Sequence, residues 1–120
     1  MSDKQSAKRR SVRLCAWQIV VPHGTRPYRA PRASALVLGV WALHRAWDDG
    51  ARAWAGREWT VSHVPSGFRF SDRTRRRDAL ALFRRLYETW PDWQAGTAFG
   101  VGPPVTDAMR ELRDYPEARR

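Results

Sequence analysis

The stretch EWTVSHVPSGFRF, residues 58–70, decides the fold. Apolar and polar side chains alternate along residues 59–64 and again along residues 68–70, which is typical of strands with a period of two. Between the two runs, Pro65 fixes φ at the first corner of a turn, and Gly67 can take the positive φ that a tight connection needs. We therefore predict a β-hairpin with Gly67 at positive φ.

An amphipathic helix is predicted after the hairpin, over residues 74–90. Thr74 is suited to cap its N-terminus through the side-chain hydroxyl, and Pro91 ends it. The apolar residues follow the i, i+3, i+4 spacing of a single helix face, which predicts a buried stripe. The members of this stripe are Ala79, Leu82, Phe83, Leu86, Tyr87 and Trp90.

The N-terminal part of the chain divides into three segments. Residues 13–21 (RLCAWQIVV) have apolar side chains at period two and predict a short buried strand. Residues 22–34 (PHGTRPYRAPRAS) predict an extended polyproline-II connector, because three prolines fix φ and remove backbone donors. Residues 35–47 fit either a helical stripe or a strand. The strand is preferred because Gly39 costs about 1 kcal/mol inside a helix.

The C-terminal part predicts a surface connection and a second helix. Residues 91–105 are rich in glycine and proline, which favours an irregular connection. Thr106 is placed to cap a short helix over residues 106–114, anchored by Met109 and Leu112. The fold class is therefore α+β: a small antiparallel sheet of three to four strands packed by one amphipathic helix, plus a short C-terminal helix. This meander followed by a helix is similar in architecture to small DNA-binding modules, including the arm-type domains of phage integrases, but no diagnostic motif supports a family.

Basic charge is concentrated at the N-terminal end. Arginine supplies 20 of the 22 basic residues, and the net charge is +10. Residues 1–34 contain eight basic residues and one acidic residue, whereas residues 35–120 contain 14 and 11. We therefore predict a basic flexible arm over residues 1–12 and a single domain over residues 13–120. A charge distribution of this kind points to an anionic partner.

The candidate contacts are arginines and exposed aromatic residues. In a polyproline-II path, arginines three residues apart share one side and can follow a phosphate backbone. Arginines at a helix N-terminus oppose the helix dipole, a conflict that a bound anion relieves. The candidate nucleic-acid or anion contacts are Arg9, Arg10, Arg26, Arg29, Arg32, Arg75, Arg76 and Arg77; the candidate stacking or partner contacts are Tyr28, Trp54 and Trp93.

The sequence contains no pattern that predicts catalysis, a metal site or a cofactor. Cys15 is the single cysteine and lies within an apolar strand, so it is expected to be an inert core residue in a reducing compartment. His44 and Asp48 have a metal-compatible spacing, but no second group of ligands accompanies them. Residues 36–43, the longest apolar run, are too few for a membrane-spanning helix, which needs roughly 20. A cytoplasmic, non-enzymatic protein without cofactor or metal is expected.

Two functions remain open at this point. The first is a small nucleic-acid-binding accessory protein, of the kind encoded by phages or mobile elements, that contacts phosphates with low sequence specificity. The alternative is a protein-interaction module, such as a small regulator or inhibitor, that docks arginine and tryptophan side chains on an acidic protein surface. Salt dependence separates them, because phosphate contacts weaken steeply as salt rises.

Overall fold

Five antiparallel strands form one sheet in chain order, and two helices follow them. The computed structural model describes residues 7–21, 24–48 and 53–114, and the side chains of residues 15–31 and 47–53 lie outside what it describes. The α+β class is confirmed, with five strands instead of three or four. The elements are β1 Lys8–Val21, β2 Gly24–Leu38, β3 Trp41–Asp48, β4 Ala53–His63, β5 Thr74–Arg75, α1 Arg76–Thr89 and α2 Asp107–Asp114.

Both helices pack against the same face of the sheet. The predicted stripe of α1 is confirmed for Ala79, Leu82, Phe83 and Leu86, which are buried, while Tyr87 and Trp90 are half-buried beside them. The sheet contributes Trp41, Leu43 and Val61 to this cluster, and α2 contributes Met109 and Leu112. The Thr106 hydroxyl accepts a hydrogen bond from the Met109 N–H at 3.2 Å, so the predicted cap of α2 is also confirmed.

The predicted cap of α1 is wrong. Thr74 lies in β5, opposite Trp59 of β4, and α1 begins two residues later, at Arg76. The N-cap residue is Arg75, which has extended backbone angles and makes no side-chain cap hydrogen bond. The reason is that Thr74 satisfies its backbone by pairing with β4, a long-range contact that local capping preference does not reveal. Within the described residues, no helix is long and apolar enough to cross a membrane.

The predicted polyproline-II connector over residues 22–34 is also wrong. Gly24–Leu38 is a strand paired with β1, and a strand repeats every two residues, so the three-residue repeat does not align its arginines. The ladder between β2 and β3 covers only Leu36↔Leu43, Val37↔Ala42 and Leu38↔Trp41. No strand that the structure describes pairs with the remainder of β2 on that side. An open edge tolerates prolines, because there a missing N–H breaks no ladder bond.

Residues 35–47 form the end of β2 and most of β3, joined by a tight turn. The preferred strand interpretation has the right backbone, but it missed the chain reversal at Gly39 and Val40. Gly39 has φ of +57°, and the Val40 N–H donates to the Pro91 carbonyl oxygen at 3.0 Å. A left-handed residue at the first turn position is the geometry that two-residue hairpin loops favour.

The predicted turn after β4 is confirmed, but its return strand is short. Gly67 has φ of +78°. The return consists of an isolated Ser62↔Arg69 bridge, after which the Phe70 N–H bonds to the Val61 carbonyl oxygen at 2.7 Å. Only residues 68–70 alternate on the return side of the hairpin, and a pattern of three residues does not indicate how far the strand extends.

The N-terminal segment joins the sheet at Lys8, within the range predicted for the arm. β1 begins at Lys8, so residues 8–12, expected in the arm, are strand residues opposite β2. Val12 is buried in a second apolar cluster together with Ala35 and Ala42, on the opposite side of the sheet from the helices. Residues 1–6 lie outside the described part of the chain, and the division at residue 12 stays a prediction.

Candidate functional site

The longest feature of the molecule is the pair of strands β1 and β2, here called the ribbon. Its ladder extends from Lys8↔Val37 to Val21↔Gly24, while the β2–β3 ladder ends at Leu36↔Leu43. A strand rises about 3.3 Å per residue, so β1 with 14 residues and β2 with 15 are the longest elements of the fold. The ribbon contains no acidic residue and seven basic residues: Lys8, Arg9, Arg10, Arg13, Arg26, Arg29 and Arg32.

Two ribbon arginines are held across the strands by serines. Arg9 Nη1 donates to Ser34 Oγ at 3.2 Å. Arg32 donates from Nε to Ser11 Oγ and from Nη2 to the Ser11 carbonyl oxygen, both at 3.0 Å. Neither guanidinium forms an ion pair with an acidic side chain that the structure describes. These hydrogen bonds orient the groups and leave their positive charge uncompensated.

Four of the predicted contact residues on the ribbon are Arg10, Arg26, Tyr28 and Arg29. Arg10 is exposed on β1. Arg26, Tyr28 and Arg29 have their backbone in β2, and their side chains lie outside the described part. Their contribution to a contact surface therefore stays a prediction.

The three consecutive arginines at the start of α1 have different surroundings. Arg75 Nε lies 3.6 Å from Asp78 Oδ2, so its charge is partly neutralised. The Arg76 guanidinium lies over the Trp59 ring, with Cζ 5.4 Å from the ring centroid. Arg77 is exposed. The structure thus joins Arg76 to the sheet and Arg75 to Asp78, and an anion contact at this helix start stays a prediction.

A pocket opens where β2 and β3 separate. Continuing the ladder beyond Leu36↔Leu43 would place Ser34 opposite Arg45, but the strands are no longer paired there. The resulting cavity has a volume of about 340 Å³. We call it the strand-gap pocket, and its lining residues are Arg9, Ala33, Ser34, Arg45, Trp54 and Trp59.

Trp59 connects the strand-gap pocket to the helix start. It is half-buried against the main core and pairs with Arg45 across the β3–β4 ladder, with the Arg45 Cζ 5.8 Å from its ring centroid. Arg45 and Arg76 therefore both lie within cation–π range of one indole. Neither Trp59 nor Arg45 is among the contact residues that the sequence predicts. Arg45 and Trp59 meet because of the register between β3 and β4, and a sequence pattern does not give that register.

Trp54, a predicted contact residue, is supported by the buried His44. The two rings meet edge to face, with centroids 6.2 Å apart. His44 Nδ1 lies 2.7 Å from the Arg45 carbonyl oxygen, which can only accept, so Nδ1 carries the proton. Nε2 then accepts from the Ser62 hydroxyl at 2.7 Å. His44 thus fixes the backbone at Arg45 and one wall of the strand-gap pocket.

Trp93, the other predicted tryptophan contact, packs at the edge of the core. Its ring stacks on Trp41, with centroids 5.5 Å apart and planes 6° from parallel. Its carbonyl oxygen accepts from His63 Nε2 at 2.9 Å, and His63 Nδ1 accepts from the buried Ser66 hydroxyl at 2.8 Å. Trp93 is half-buried and lies apart from the strand-gap pocket.

The two buried histidines predict a loss of stability in mild acid. Burial lowers the pKa of both His44 and His63 below the ordinary value of 6.5, although each backbone hydrogen bond opposes the shift. In mild acid the unfolded chain therefore binds more protons at these two histidines than the folded chain does. The stability that comes from keeping both histidines neutral is fully present above about pH 6.5. As pH falls below this value, the free energy of unfolding decreases by up to about 1.4 kcal/mol per pH unit for each histidine. Urea titrations between pH 7 and 5 measure it.

The variant His44→Gln provides the matched comparison for this pH dependence. Its free energy of unfolding should be lower at pH 7 and should change less between pH 7 and 5, because one titrating group is gone. An unfolding free energy of the parent protein that is constant over this range would contradict the assignment.

The strand-gap pocket differs in charge from the neighbouring cavities. A pocket beside α1 includes Glu88, and one beside β5 includes Asp72, Asp78 and Asp114. Among the residues that the structure describes, the strand-gap pocket is lined by guanidinium and indole groups and by no acidic side chain, a combination suited to flat or anionic ligands. No protein-family model matches this chain, and no curated protein or solved structure matches it.

Proposed function

We propose that the protein binds nucleic acid, through phosphate contacts made mainly by the ribbon. The observation that carries this proposal is the run of seven basic residues on β1 and β2 without one acidic residue. Guanidinium groups bind phosphate oxygens through two parallel hydrogen bonds, and a two-stranded ribbon is narrow enough to enter the major groove. Because this surface is defined by charge, the expected binding has low sequence specificity.

The serine contacts support the same proposal. Arg9 and Arg32 each keep donors free after bonding Ser34 and Ser11, because a guanidinium has five N–H groups. A side chain already held in position loses less conformational entropy when it binds a phosphate. The ribbon therefore combines uncompensated charge with partial preorganisation.

The ribbon is tested by removing charge at two exposed β1 positions. Lys8→Gln with Arg10→Gln is compared with Arg69→Gln and Arg84→Gln, which are exposed outside the ribbon; both double variants remove two charges from the net +10. The ribbon variant should bind a duplex oligonucleotide about tenfold more weakly at 0.1 M salt, and its log–log salt slope should fall by about 1.8. Fluorescence anisotropy titrations at several salt concentrations measure both quantities.

The control variant should lose less than about threefold, since net charge alone acts weakly across a screened distance. Equal losses in the two variants would remove the ribbon from the contact surface. Failure of the parent protein to bind any oligonucleotide at low salt would favour the acidic protein partner instead.

A further inference from the structure

The strand-gap pocket contains the two kinds of group that hold a nucleotide. Trp54 and Trp59 offer indole surface, and Arg9 and Arg45 offer guanidinium groups. Bases stack on aromatic side chains, and phosphates bind guanidinium groups, so both parts of a nucleotide find a partner in one cavity. The volume of about 340 Å³ falls within the range of about 300–1,000 Å³ found for small-molecule sites.

The walls of this pocket are fixed by contacts outside it. Ser34 holds Arg9, and His44 holds both the Arg45 carbonyl oxygen and the edge of the Trp54 ring. Trp59 packs on its inner side against the main core. Because these groups are already ordered, a ligand need not supply the free energy to assemble the site.

Arg9 belongs to both the ribbon and the pocket wall. A phosphate bound at Arg9 therefore brings the adjoining nucleotide to the pocket. A base inside a duplex is stacked and paired and cannot enter a side pocket, whereas an unpaired base can. The ligand that satisfies the whole surface is a strand with at least one unpaired base.

We propose that the strand-gap pocket binds one unpaired nucleotide of a single-stranded or frayed nucleic acid. The base stacks against the indole of Trp54, Trp59 forms the opposite end of the cavity, and Arg9 and Arg45 bind the adjoining phosphates. This inference rests on the proposed nucleic-acid binding and deepens it, because it names the form of nucleic acid that the protein prefers.

The first test compares two strands of equal charge. Binding of a fluorescent ten-thymidine strand is measured beside a strand of ten abasic nucleotides, which keeps the phosphates and removes every base. Stacking contributes about 1–3 kcal/mol per base, so the thymidine strand should bind about 5- to 150-fold more tightly. A ten-uridine strand in the same titration distinguishes RNA from DNA as the source of the unpaired nucleotide.

The second test uses Trp54→Leu, with Trp90→Leu as a matched control that is also half-buried but outside the pocket. Trp54→Leu should reduce thymidine-strand affinity toward the abasic level and leave abasic-strand affinity within about threefold. Trp90→Leu should keep the preference for the thymidine strand.

An NMR titration of the unmodified protein tests the pocket without any substitution that could impair folding. Thymidine 5′-monophosphate should shift the NMR signals of the Trp54 and Trp59 indole N–H groups, and not that of the buried Trp41.

The outcomes separate this inference from the proposed function. Equal, salt-sensitive affinity for the thymidine and abasic strands overturns the pocket assignment and leaves the ribbon proposal intact. Absence of indole shifts at Trp54 and Trp59 with the mononucleotide also overturns the pocket assignment. No binding of either single strand at low salt overturns the pocket assignment, and the ribbon proposal is overturned as well only if the duplex oligonucleotide is not bound either.

Discussion

Replacing Gly39 with alanine is expected to lower the free energy of unfolding by about 3 kcal/mol or more. Gly39 has φ of +57°, a conformation that L side chains rarely adopt. A Cβ at this position would overlap the Pro91 carbonyl oxygen and lie 3.1 Å from Tyr87 Cδ1. Relief would require moving the Pro91 backbone, whose carbonyl oxygen also accepts from the Val40 N–H. The turn and the end of α1 would therefore be disrupted together.

Gly56→Ala is the control for this prediction. Gly56 lies in β4 at ordinary φ, and a Cβ there would meet no atom within 4 Å. Its unfolding free energy should stay within about 0.5 kcal/mol of the parent value. Guanidinium chloride titrations followed by tryptophan fluorescence compare the two variants. Similar midpoints for both would show that the turn at Gly39 does not need a left-handed residue.

Replacing Trp41 with alanine should destabilise the protein by about 3–5 kcal/mol. Trp41 is fully buried at the start of β3, and its Nε1 donates to the Trp90 carbonyl oxygen at 2.8 Å. Its ring also stacks on Trp93 and meets Phe70 edge to face. Removing it would leave a large cavity and an aromatic cluster without its central member. The melting temperature should fall by roughly 10 °C or more.

Trp41→Phe separates the hydrogen bond from the packing. Phenylalanine keeps an aromatic ring at this position and removes the indole N–H, so its cost should be about half that of alanine, or less. Calorimetry of the two variants measures the difference. An alanine variant as stable as the parent would mean that this cluster does not anchor the sheet.

The sequence pattern predicted those features of the fold that depend on residues close together in the chain. The stripe of α1 follows from residue spacing alone, and the cap of α2 needs only Thr106 and the N–H three residues later. The positive φ of Gly67 follows from a proline and a glycine between two alternating runs. In each case the residues that interact are near neighbours in the chain, so the sequence pattern contains the geometry.

The interior of the sheet could not be predicted in the same way. Residues 24–34 are polar, basic and rich in proline, which locally favours an extended connector. They form a strand because β1 provides a partner along their length. Thr74 likewise leaves its predicted capping position for a place beside β4. Pairing with a distant strand outweighs the local conformational preference of these residues, and the sequence of the segment does not identify its pairing partner.

The sequence by itself determined the composition of the chain: a basic N-terminal third, arginine in place of lysine, and seven tryptophans. Tertiary structure decided which of these residues meet. Arg9, Arg45 and Trp54 come from three different strands, and they share one pocket because the β2–β3 ladder ends at Leu36↔Leu43. Where a ladder ends depends on strand twist and on packing beneath it, which are properties of the assembled sheet and of no single stretch of chain.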